Sequence, residues 1–138
     1  MFEKVLLAYD GSEEAKKAVE VAVDVAKKYS AKLYVLEVVD NTILYSFAAP
    51  PISFKELEKR AESHVNEVAQ RARSSGVDCE PKVAAGYPPT AIMEFAESNG
   101  VGLIVMGSRG LSTFKKLFLG SVSSAVVNNS KVPVLIVR

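Results

Sequence analysis

The sequence predicts an α/β fold, a single-domain doubly wound sandwich with a five-stranded parallel sheet and helices on both faces. Three observations carry that expectation. Short apolar runs alternate along the chain with longer segments whose apolar residues recur at helical spacing. Strand then helix, repeated, calls for parallel strands joined by right-handed crossovers. A length of 138 residues, 49% of them apolar, is one domain's worth (residues 1–138) and enough to bury a full core.

Glu3 to Tyr9 (EKVLLAY) reads as a short buried strand. From Ser12 to Tyr29, Ala15, Ala18, Val19, Ala22, Val25, Ala26 and Tyr29 keep helical spacing. A second strand, KLYVLEVV from Lys32, leads into the loop DNTILYSFAAPP. Phe54, Leu57, Ala61, Val65, Val68 and Ala72 then form another helical stripe, ended near Gly76. CEPKVAA is a more polar third strand, and Pro81 inside it argues for a sheet edge. PPTAIMEFAESN opens on prolines and stops before Gly100, the punctuation of a short helix. GLIVMG is a strongly apolar fourth strand. Gly120 to Ser130 is a fourth helix turning Val122, Ala125 and Val126 inward, and VPVLIVR closes the sheet.

Seventeen Lys and Arg against 16 Asp and Glu leave a formal charge of +1, without the basic excess of a dedicated nucleic-acid binder. Every acid lies at or before Glu97, so the end of the chain is basic wherever it is charged. The single cysteine, Cys79, rules out an internal disulfide, and the opening MFEKVLLAYD is too short an apolar run for a leader. No run approaches the ~20 apolar residues of a membrane helix. The expected address is the cytoplasm, with no membrane and no nucleic acid among the partners.

Ligands of such sheets sit outside the carboxyl ends of the strands, where the strand order reverses. Those ends are AYDGS (8–12), EVVDN (37–41), AAGYPP (84–89) and MGSRG (106–110). The first helix opens with Asp10, Glu13 and Glu14, so carboxylates already answer its positive end and a phosphate would be repelled. The fourth opens Gly120-Ser121-Val122-Ser123-Ser124 after Lys115 and Lys116, with no acid nearby. Its free N–H groups form a ready anion site.

Gly107 and Gly110 would let the backbone turn and approach a ligand, or are turn glycines alone. Neither the Walker A pattern nor the dinucleotide fingerprint occurs in the chain. Asp10, ending the first strand, has two readings: acceptor for a ribose hydroxyl or amino group, or a cap for the first helix in a pair with Glu13. Val38 and Val39, with Gly86 and Met106, either wall an apolar slot for a base or belong to the core.

The spacing Gly107-x2-Gly110-x9-Gly120-Ser121, after a buried strand and before a helix, resembles the nucleotide-binding motif of the universal stress protein family. KVLLAYDGSEEAKKAVEVA resembles that family's opening, LIVMGSRG its fourth strand and loop, and VPVLIVR its last strand. The resemblance implies the strand order 3-2-1-4-5 and the ATP-binding branch. It implies that Asp10 and Val39 (or Val38) address adenine and ribose. Ribose and phosphates would lie along Gly107, Gly110, Gly120, Ser121 and Val122, with Ser123 nearby. It implies ATP, or ADP or AMP, with Mg or Mn carried on the phosphates, and a homodimer through the last strand (Val132 to Arg138). Arg109 is assigned a phosphate or partner role.

No catalytic residue is assigned. His64 is expected partly exposed on the surface of the second helix, and Cys79 has no partner that would mark a nucleophile. Ser121, Ser123 and Ser124 lack a His–Asp arrangement and read as donors. S-G-G-x-D-S and H-x-G-H, which mark related nucleotide enzymes, are absent. A nucleotide-sensing binding protein is therefore favoured over a slow or partner-triggered ATPase and over a nucleotide-independent dimeric adaptor. The loop Asn41 to Ser53, with Ile43, Leu44, Tyr45 and Phe47, reads as a lid over the base or as a contact surface.

Overall fold

Val5, Leu6 and Leu7 have no accessible surface, because their strand, β1 (Lys4–Ala8), lies at the centre of a sheet covered on both faces. A strand in that place has no polar face to show, so its sequence is an unbroken apolar run. The computed structural model describes residues 1–42, 53–109 and 119–138. Among them follow α1 (Glu13–Lys28), β2 (Lys32–Asp40), α2 (Phe54–Ser74), β3 (Cys79–Gly86), α3 (Pro88–Ser98), β4 (Leu103–Gly107), α4 (Ser121–Asn129) and β5 (Val134–Val137). Five strands form one sheet, all pairings parallel, in the order β3-β2-β1-β4-β5.

Alternation along the central strands divides the interior into two cores. Val5, Leu7, Val35 and Val105 face α1 and α2, meeting Ala18, Ala22, Ala26, Val65 and Ala72. Leu6, Leu36, Ile104 and Met106 face α3 and α4, meeting Ile92, Ala96 and Val126. Each fully buried Leu, Ile or Val side chain contributes about 1.5–3 kcal/mol relative to exposure, so these two layers hold the sheet. β3 is an edge strand, as Pro81 predicts; Pro81 pairs with Val35, and the missing N–H is tolerated there.

Two expectations about helix ends change. The cap of α1 is Ser12, whose Oγ accepts the Ala15 N–H at 3.2 Å, and not an Asp10–Glu13 pair. Gly11, at φ +81°, turns the chain so that the residue after it meets the helix end. Asp10 instead accepts the Ser12 N–H on Oδ1 at 2.9 Å. In α4 the buried positions are Ser123 and Val126, while Val122 and Ala125 are only half-buried. The loop expected as a lid or contact surface lies outside the described residues from 43 to 52, and Gly110, Lys115 and Lys116 fall in the second such stretch.

The strand order reverses between β1 and β4. Their carboxyl ends therefore diverge into a crevice, with α1 and α2 on one side of the sheet and α3 and α4 on the other.

Candidate functional site

The crevice is a cleft of about 230 Å³. Ala8, Tyr9 and Asp10 come to it from the end of β1, and Met106, Gly107 and Arg109 from the end of β4. β2 supplies Leu36 and Val38, α3 supplies Pro88 and Ile92, and the start of α4 supplies Gly120, Ser121, Val122 and Ser123. Most of the residues singled out in the sequence thus meet at one place.

Val39 does not meet them. It lies one step along β2 from Val38, and successive side chains on a strand point to opposite faces. Val38 reaches the cleft, whereas Val39 is buried on the α2 side. Gly86 pairs with Asp40 at the end of β3 and is absent from the wall, where Pro88 and Ile92 stand instead. Gly107 lines the cleft, but what requires a glycine there is α1. A Cβ at this position would lie 2.8 Å from both the carbonyl carbon and the Cβ of Glu14.

The two helix ends differ as their sequences predict. Ser12 caps α1, with Glu13 and Glu14 in its first turn. The α4 end has Gly120 as cap with no side-chain hydrogen bond, and no acid in its first turn. The Gly120 N–H donates to the Ser108 carbonyl at 2.8 Å, and the Ser124 N–H returns to Gly120 at 2.9 Å. Among the described residues nothing accepts from the N–H groups of Ser121, Val122 and Ser123. These three donors, at the positive end of the helix dipole, stand at the cleft.

Ser123 contributes differently from expectation. Its hydroxyl donates to the Ser108 carbonyl at 2.8 Å and is buried, so its side chain fastens α4 to the end of β4. Ser108 also donates its own N–H to the Val137 carbonyl at 2.8 Å, tying in the end of β5. Arg109 reaches the cleft with its charge already engaged, since Nη2 lies 2.6 Å from Glu14 Oε1. The Glu14 carboxyl is held below the ordinary carboxylate range, first by its own backbone N–H and then by the Arg109 guanidinium, against the opposing effect of desolvation.

A second group of residues was not legible in the sequence. His64 is partly exposed on α2, as expected, but its partners come from other elements: its Nδ1 is 2.8 Å from Glu37 Oε1, and its ring meets that of Tyr9 edge-on at 6.0 Å. Burial pushes the Glu37 carboxyl up from its ordinary value, while the His64 hydrogen bond pulls the other way. Burial first, then the carboxylates of Glu37, Glu67, Asp10 and Glu13, raise the Tyr9 phenol. Cys79 is buried and its thiol pushed up to about 11 by burial, so it is a protonated core residue at neutral pH. Among the described residues no group of three or more His, Cys, Asp or Glu could hold a metal ion, and no helix is long and apolar enough to cross a membrane.

Comparison with known proteins agrees with this architecture. The model of the universal stress protein family matches residues 1–138. The chain is 38% identical over 148 residues to universal stress protein YxiE of Bacillus subtilis, covering all of both chains. Among solved structures it resembles hypothetical protein MJ0577, with a TM-score of 0.87 and 28% identity, covering 99% of this chain and 96% of that one. It also resembles a universal stress protein in complex with cAMP, with a TM-score of 0.77, 28% identity and coverage of 99% and 97%.

Proposed function

The chain belongs to the universal stress protein family, and from that premise we propose that it is an ATP-binding, nucleotide-sensing protein rather than a dedicated enzyme. The observation that carries this reading is the acid-free start of α4, whose three N–H donors have no acceptor among the described residues and stand at the cleft. Anions belong at such a helix end. The adenine lies against the apolar wall of Val38, Met106 and Ile92, and Asp10 accepts a hydrogen bond from the ribose or the amino group. The phosphates run to Gly120, Ser121 and Val122, with the Ser123 N–H among the donors. Gly110 belongs to the same motif by resemblance. The relative bound to cAMP supports an adenine nucleotide as the class of ligand.

Where Mg or Mn accompanies the nucleotide, it rides on the phosphate oxygens. The edge position of β5 and its exposed Leu135 support a homodimer through the last strand, Val132 to Arg138. A cytoplasmic address accords with the lone buried thiol.

The test is calorimetric titration of nucleotide-stripped protein with ATP, ADP, AMP and adenosine, with and without Mg²⁺, followed by an overnight assay for released phosphate. Affinity rising with phosphate number, without phosphate release, is the expected result. Adenosine binding as tightly as ATP would remove the phosphates from α4. Phosphate release would make the protein a slow ATPase, and no binding at all would leave the adaptor reading.

A further inference from the structure

The turn that carries Asp10 has a support behind it that does not line the cleft. Gly11, next to Asp10, adopts φ +81°, and the imidazole of His64 lies so close that a Cβ on Gly11 would stand 3.0 Å from Cε1. His64 comes from the middle of α2. Its Nδ1 is 2.8 Å from Glu37, the residue before Val38, and its ring packs edge-on against Tyr9, which does line the cleft. One side chain therefore touches the end of β1, the Asp10 turn and the end of β2, three of the segments around the nucleoside half of the cleft.

We propose that His64, held by Glu37, is a positioning residue for the nucleoside subsite, keeping Tyr9, Gly11 and Asp10 in binding geometry by packing against them. The inference rests on Asp10 being the nucleoside contact. Glu37 has a side chain only 14% exposed, on the face of β2 that it shares with Val35 and Val39. A carboxylate in that place needs a donor, and His64 is its partner among the described residues.

The surroundings are mainly acidic. Asp10, on the turn, and Arg60, on α2, act on Glu37; Glu67 of α2 and Glu13 of α1 act on Tyr9 beside it. With Glu37 ionised, the hydrogen bond it accepts from His64 is charge-assisted, and it holds the imidazole against the turn.

Adenosine is the probe of choice, because it reads the nucleoside subsite without the phosphate site. Its affinity, the melting temperature and the chemical shifts of the Gly11 and Ser12 amides would be measured for the wild type, His64→Ala and His64→Gln. The expected result is adenosine binding about three- to tenfold weaker in His64→Ala, with both amides displaced, and affinity and shifts largely restored in His64→Gln, which keeps an N–H donor for Glu37. Wild-type adenosine affinity in His64→Ala, or Gly11 and Ser12 amides that do not move, would overturn the inference while leaving the nucleotide reading intact. Wild-type protein that binds neither adenosine nor ATP would overturn both.

Discussion

Replacing Ser121 by glutamate should move stability and affinity in opposite directions. Ser121 is exposed, is the first residue of α4, and follows a glycine cap in a first turn without acid. A carboxylate there answers the helix dipole and accepts from N–H groups that have no acceptor among the described residues, which stabilises by about 0.3–1 kcal/mol. For a chain of this size that raises the melting temperature by about 1–4 °C. The same carboxylate occupies the place proposed for the phosphates. Two unit charges 4 Å apart repel by about 1 kcal/mol in water and about 4 kcal/mol at the effective dielectric of a partly enclosed site. ATP affinity should then fall about ten- to a thousandfold, with adenosine unaffected. Thermal melting and calorimetry on one preparation measure both quantities. A variant that melts at or above the wild-type temperature and still binds ATP normally would refute the assignment of phosphates to α4. Equal loss of ATP and adenosine would show a distorted cleft rather than charge repulsion.

Gly107→Ala forces a methyl against the backbone of the first turn of α1 at 2.8 Å; overpacking of this kind costs about 1–3 kcal/mol, to be read from urea denaturation. Glu14→Gln frees the Arg109 guanidinium from its ion pair and should tighten ATP, but not adenosine, by about three- to tenfold, as titration would show. The Glu80 carboxyl is lowered to about 2 from an ordinary 4.5 by hydrogen bonds from Lys32 and then Lys82. Its contribution to stability is therefore complete above pH 4.5 and lost as the pH falls towards 2. Glu80→Gln should flatten that part of the acid denaturation profile and leave stability at neutral pH changed only slightly, since the pair is exposed.

What the sequence made legible was what depends on neighbours along the chain. Unbroken apolar runs mark strands covered on both faces, Pro81 marks an edge, and the bare Gly120-Ser121 start marks a helix end without an acid. What it concealed depends on contacts across elements. Arg109 meets Glu14 over 95 positions and His64 meets Glu37 over 27, and no periodicity announces either pairing. The choice between Val38 and Val39 turns on strand parity, and a shift of one residue exchanges the two faces. Nor does the glycine spacing announce that the space beside Gly107 is taken by the first turn of α1.

Ser108 joins β4, β5 and α4 without using its side chain. Its N–H goes to Val137, and its carbonyl receives the Gly120 N–H and the Ser123 hydroxyl. A junction made by the main chain is blind to residue identity, so position 108 should be free to drift among side chains small enough for its buried place. Alanine or cysteine there would leave the three bonds standing. Proline alone, lacking the N–H, would cut the link to the last strand. The point at which three elements meet is thus among the places where an inventory of invariant residues would be least informative.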